Sequence, residues 1–99
     1  MITITQNDGK IHITGHACYA PRGSDIICSA ISALLQTFVA SVDKLTSDNI
    51  KSDIRRGEAV IVYEDLSDNA QLLMDSFFIG VSEIESAYPG YVKIEKTKL

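Results

Sequence analysis

Two side chains in this sequence stand out as a nucleophile and a base, Cys28 and His16, twelve positions apart. A thiolate beside an imidazole is the pairing that acyl-transfer chemistry needs. If Asp25 caps the helix that follows, Cys28 falls in its first turn, next to backbone N–H groups without an intrahelical partner. A helix start favours the charged, nucleophilic form of a thiol. At about 100° per residue, Cys28 lies roughly 80° from the centre of the helix's apolar stripe, half sheltered and still reachable. Asp25 and Ser32 project within about 60° of it, so the three make a polar edge on a greasy helix.

Each of these residues also has a plain structural role. Most free cysteines are small core residues. Ser32 alone eases helix packing. Asp25 alone is an N-cap whose charge opposes a thiolate, so its functional roles are to orient the imidazole or to fix the adjoining loop. His16 follows Gly15 at the end of a strand and opens the one long loop, where a base can meet a helix start across a cleft. On its own it reads as a surface histidine. His12 lies two alternation steps back on the same strand and reads as an exposed-face residue.

His12, His16, Cys18 and Cys28 also invite a zinc reading, but their spacing does not support one. On a strand, the two histidines stand roughly 13 Å apart. No metal or other cofactor is expected.

The elements that must position Cys28 and His16 follow from periodicity. Ile2 and Ile4, then Ile11 and Ile13, alternate with polar residues around Asn7-Asp8-Gly9, a hairpin signature. The loop after His16 contains Pro21 and Gly23 and is expected to be mobile over residues 17–23, as a gate over the cleft. Ser24 or Asp25 caps a helix running to about Thr46, with Ile27, Ile31, Leu34, Phe38, Val42 and Leu45 as its stripe. Residues 50–55 and 59–64 read as strands joined near Arg56-Gly57. Ser67 or Asp68 caps a second helix with Leu73, Phe77, Val81, Ile84 and Tyr88 on its inner side. Pro89-Gly90 ends it, and residues 91–95 form a last strand with Val92 and Ile94 facing in. The expected class is α+β, order β-β-α-β-β-α-β. It has a five-stranded mainly antiparallel or mixed sheet and two helices on one face, forming one domain over residues 1–99.

Composition narrows the partners. With 13 acidic and 9 basic side chains, the net charge is −4. That balance argues against direct nucleic-acid binding, which needs clustered Lys and Arg, and suits a basic protein partner. Cys18 and Cys28 do not make a disulfide framework. No secretory signal opens the chain. Ser, Gln, Asp and Lys interrupt the longest apolar helix, so no membrane span is expected. The cytoplasm is the expected compartment, and so small a domain gains from pairing.

Gly15-His16-Ala17, then Gly23-Ser24-Asp25-Ile26-Ile27-Cys28, then Ser32-Ala33-Leu34, resemble the Prp (YsxB-like) family of ribosomal-processing cysteine proteases. Tyr88-Pro89-Gly90-Tyr91 is similar to the family's exit from its last helix. The resemblance implies a homodimer that removes a short N-terminal extension from a large-subunit ribosomal protein precursor. It implies Cys28 as nucleophile and His16 as base, with Gly15, Asp25 and Ser32 on the other motif positions. Cys18 departs from the family's small, thiol-free residue. It reads as a harmless substitution, with a reversible disulfide to Cys28 as the alternative. The competing functional class is a non-catalytic, ribosome-associated adaptor with an inert Cys28.

Overall fold

The computed structural model describes residues 1–21 and 25–96. Strands β1 (Ile2–Asn7) and β2 (Lys10–Thr14) form the first hairpin, and α1 spans Ile26–Leu45. Strands β3 (Lys51–Arg55) and β4 (Glu58–Val62) form the second hairpin, followed by α2 (Asp68–Ala87) and β5 (Val92–Lys96). The expected element order holds, with strand ends shifted by one or two residues.

The sheet runs β3-β4-β2-β1-β5. Its hairpin and β2–β4 pairings are antiparallel, while β1 and β5 run parallel, so the sheet is mixed. Alternation puts Ile2, Ile4, Ile11, Ile13, Ala59, Ile61 and Val92 on one face, where they share a core with both helices. The other face presents Thr3, Thr5, His12 and Thr14, only partly covered.

Two of the expected stripe positions on α1 differ. Leu35, not Leu34, is buried with Ile27, Ile31, Phe38 and Val42, and Leu45 is 70% exposed at the helix end. Leu34 instead meets α2 at Gly80, where a Cβ would come within 3.0 Å of its Cδ1. The missing side chain lets the helices approach closely. On α2 the buried set is Ala70, Met74, Phe77, Phe78 and Val81, while Leu73, Ile84 and Tyr88 are half-buried.

By length and composition, α1 is apolar enough to cross a bilayer, with mean hydropathy 1.7, so its polar residues do not exclude a span as expected. Its hydropathy has another use here, since its inner stripe fills the core against the sheet and α2. Two helices, each about 10 Å across, cannot cover all five strands. Strand β3 is left at the uncovered edge: Ile54 stands opposite buried Ala59, on the helix side, yet is 43% exposed.

Candidate active site

Asp25 builds the nucleophile side of the site. Its backbone is extended, as an N-cap requires, and its Oδ1 accepts the N–H groups of Ile27 and Cys28 at 3.0 Å each. Asp25 rather than Ser24 is therefore the cap. Its other oxygen, Oδ2, accepts the N–H of Tyr19 at 3.0 Å. The residue is only 8% exposed. The Cys28 N–H bond holds this carboxyl below the ordinary aspartate range against the opposing effect of burial, helped by the Tyr19, Ala20 and Ile27 N–H groups. Of its two expected roles, Asp25 takes the loop-fixing one: both oxygens are engaged by backbone N–H groups, and no hydrogen bond to His16 occurs among the described residues.

Cys28 is half-buried in the first turn of α1, and the buried Ala17 donates its N–H to Cys28 Sγ at 3.3 Å. The loop is thus tied to the helix at both Ala17 and Tyr19. A third tie is aromatic. The Tyr19 ring meets Tyr88 and Tyr91 edge-on, with centroids 5.6 and 5.2 Å away. Residues 17–21 thus meet the rest of the site through two hydrogen bonds and two aromatic contacts, and positions 22 and 23 of the expected gate lie outside the described residues. Cys18 adopts a left-handed backbone (φ 57°), is exposed, and carries a free thiol, as does Cys28.

The base side is built differently. The β2–β4 ladder pairs Thr14 with Glu58, and one step further Gly15 donates its N–H to the Gly57 carbonyl at 3.0 Å. This continuation sets His16, an exposed residue, against the Arg56-Gly57 turn. A Cβ at Gly57, whose φ is +78°, would lie 2.9 Å from His16 Nε2 and 3.2 Å from Cε1. The imidazole rests where a side chain would be. Among the described residues His16 makes no hydrogen bond, to Cys28 or to any other group.

His16 and Cys28 face one cleft of about 560 Å³, with Ile31, Leu35 and Ile54 as its apolar lining and Arg55 and Arg56 on the β3 side. Ser32 lines it too and accepts a hydrogen bond from Gln36 at 2.9 Å. Gly15, His16, Asp25, Cys28 and Ser32 are thus brought to one place. His12 is on the other sheet face, paired with Glu58 at 3.0 Å. Among the described residues, no three His, Cys, Asp or Glu side chains cluster as metal ligands.

The Ala17 bond to Cys28, the place of Gly57 and the packing of Tyr19 on Tyr88 and Tyr91 were not foreseen. Gly57 was legible only as a turn glycine, because its position beside His16 depends on the β2–β4 register. Chemically, the cleft joins a thiol at a helix start, a backbone donor aimed at its sulfur, and a solvent-reachable imidazole.

Comparison with known proteins agrees with this chemistry. The family model for cysteine protease Prp matches residues 1–93. The ribosomal processing cysteine protease Prp of Staphylococcus aureus is 32% identical over 100 residues, covering 94% of each chain. A crystal structure of the essential ribosomal processing protease Prp from S. aureus, with a covalently linked product peptide, superposes with a TM-score of 0.90. It is 29% identical, covering 98% of this chain and 100% of that one. The same protease with a substrate peptide gives a TM-score of 0.81 at 26% identity, covering 97% of each chain.

Proposed function

Since this chain belongs to the cysteine protease Prp family and is a cysteine protease, we propose that it removes a short N-terminal extension from a large-subunit ribosomal protein precursor, with Cys28 as nucleophile and His16 as base. Membership sets the adaptor reading aside. The observation that carries the site assignment is the Ala17 N–H donating to Cys28 Sγ at 3.3 Å in a cleft that His16 shares.

Cys28 Sγ attacks the scissile carbonyl carbon, and His16 takes the thiol proton. The tetrahedral oxyanion needs a donor that is not held by Asp25. The N–H groups of Ile27 and Cys28 are bound to the Asp25 side chain, and that of Ser29 to the Asp25 carbonyl. Ala17 N–H, already at the sulfur, is the donor best placed to move to the oxyanion. Collapse expels the amine, protonated by His16, and leaves a thioester. His16 then deprotonates water, which hydrolyses the thioester and frees Cys28. His16 makes no hydrogen bond to Sγ among the described residues, and catalytic hydrogen bonds of this kind commonly tighten when substrate binds.

The finer assignments rest on separate features. Exposed Leu72, Ile79, Ile26 and Leu45 support a homodimer that covers apolar surface. The free thiols of Cys18 and Cys28 support a reducing compartment, the cytoplasm. Incubation of the protein with the host's large-subunit ribosomal precursors, read by intact mass, tests the substrate. One precursor should lose a short N-terminal peptide with wild type and none with Cys28→Ala. Cleavage by Cys28→Ala would refute the assignment, and cleavage of no precursor would refute the substrate.

A further inference from the structure

A second cavity of about 350 Å³ adjoins the catalytic cleft, and Ile54 lines both. The groove has α1 on one side, with Gln36, Val39 and Asp43, and on the other Ser52 of β3 and Ile50 just before that strand. Strand β3 pairs with β4 on one edge only, and all five of its residues are exposed. Its other edge therefore offers backbone donors and acceptors beside a groove that adjoins the catalytic cleft.

We propose that the substrate chain runs out of the cleft along this groove on one side of the scissile bond, adding to β3 as a further strand. The inference rests on the protease reading, which requires an extended peptide in the cleft. A strand added to an exposed sheet edge gains main-chain hydrogen bonds and points alternate side chains into the adjoining groove. From Ile54 to Ile50 the groove runs about 13 Å, room for about four peptide residues. Its far end carries Asp43 and Asp48, and among the described residues no Lys or Arg lines it. Lys44 and Lys51 are sequence neighbours outside the lining. Ser67, donating to Asp48 through both side chain and backbone, holds that carboxyl below the ordinary aspartate range, so it is charged at neutral pH. The far subsite therefore takes a Lys or Arg about four to six residues from the scissile bond.

The test is a peptide series with one constant core around the scissile bond. It is extended by two, four or six residues on either side, with Lys or Glu at the outer end, and kcat/KM is measured. Extension on one side with Lys should raise kcat/KM by on the order of tenfold, the effect of a few added hydrogen bonds. Ser52→Tyr, which fills the groove away from the cleft, should cancel that gain and leave the short peptide's rate unchanged. Asp43→Lys should invert the preference for Lys over Glu, and alternate backbone N-methyl groups on the extension should remove the gain.

The inference is overturned if extension on either side changes kcat/KM by less than about twofold. It is equally overturned if the gain survives Ser52→Tyr, or if Ser52→Tyr dissociates a dimer, which would place a second copy on this face. Failure of the protease reading looks different: no peptide is cut, or Cys28→Ala cuts as well as wild type. In that event, direct binding of the longest and shortest peptides to Cys28→Ala still decides the groove, equal affinities refuting it.

Discussion

The two sides of the cleft are held by opposite means. On the nucleophile side, three N–H groups converge on Asp25, a fourth reaches Cys28 Sγ, and two tyrosines clasp Tyr19. On the base side, the His16 ring lies against a glycine that has no side chain to push it away. The sulfur is fixed by bonds and the imidazole by available space. A nucleophile must be aimed, whereas a general base that serves first a thiol, then an amine, then a water benefits from latitude.

His16→Ala gives the largest expected effect. Activity should fall by about 10²–10⁴-fold, the usual contribution of a general base, with the melting temperature nearly unchanged. Unfolding of that variant would make His16 a structural residue and erase the contrast. Asp25→Ala should follow, with a loss of roughly 10²-fold from misplaced reacting atoms, and here stability should fall as well. Near-ultraviolet circular dichroism of the Tyr19, Tyr88 and Tyr91 cluster should report a loosened loop. An unchanged tyrosine signal would deny the loop-fixing role.

Asp25 also sets an acid limit. Its folded-state pKa is depressed, so its stabilisation is complete above the ordinary value of 3.8 and lost as pH falls below that through the depressed one. The tyrosine signal should thus fade below that value in wild type. In Asp25→Asn, which has no carboxyl to titrate, this transition should be missing.

A smaller effect sharpens the base side. Gly57→Ala should lower kcat by about tenfold or more through displacement of the imidazole. Gly90→Ala is its control, since Gly90 has a similar φ of +90° and nothing within 4 Å of an added Cβ. Equal activity of the two variants would show that backbone strain, not contact with His16, sets the outcome. The smallest effect belongs to Cys18→Ala, which under reducing conditions should stay within about twofold of wild type, since a surface change away from the reacting atoms costs little. Loss of activity without unfolding would bring Cys18 into the chemistry.

How much of this was legible depended on sequence distance. The hairpin turns, the choice between Ser67 and Asp68, and the neighbourhood of Cys28 and Asp25 are local matters, and residue types along a few positions nearly settle them. Ser67 is the cap, with its side chain accepting the Ala70 N–H. Leu34 and Leu35 are adjacent, and only the α2 crossing at Gly80 decides which faces the sheet. Gly57 meets His16 through a strand register spanning more than forty positions, and Tyr19 finds Tyr88 and Tyr91 through the full topology. No window of sequence contains either contact.

The parallel pairing of β1 with β5 joins residues 2–6 to residues 92–96, and Ile2 donates its N–H to the Tyr91 carbonyl at 2.9 Å. In kinetic terms this is the longest chain closure among the described residues, and such closures are slow because their entropy is spent before their contacts form. Tyr88 and Tyr91, the seat of Tyr19, lie at the entrance to that last strand. Refolding should therefore restore helix signal first and peptide-cleaving activity last, leaving partly folded chains unable to cut.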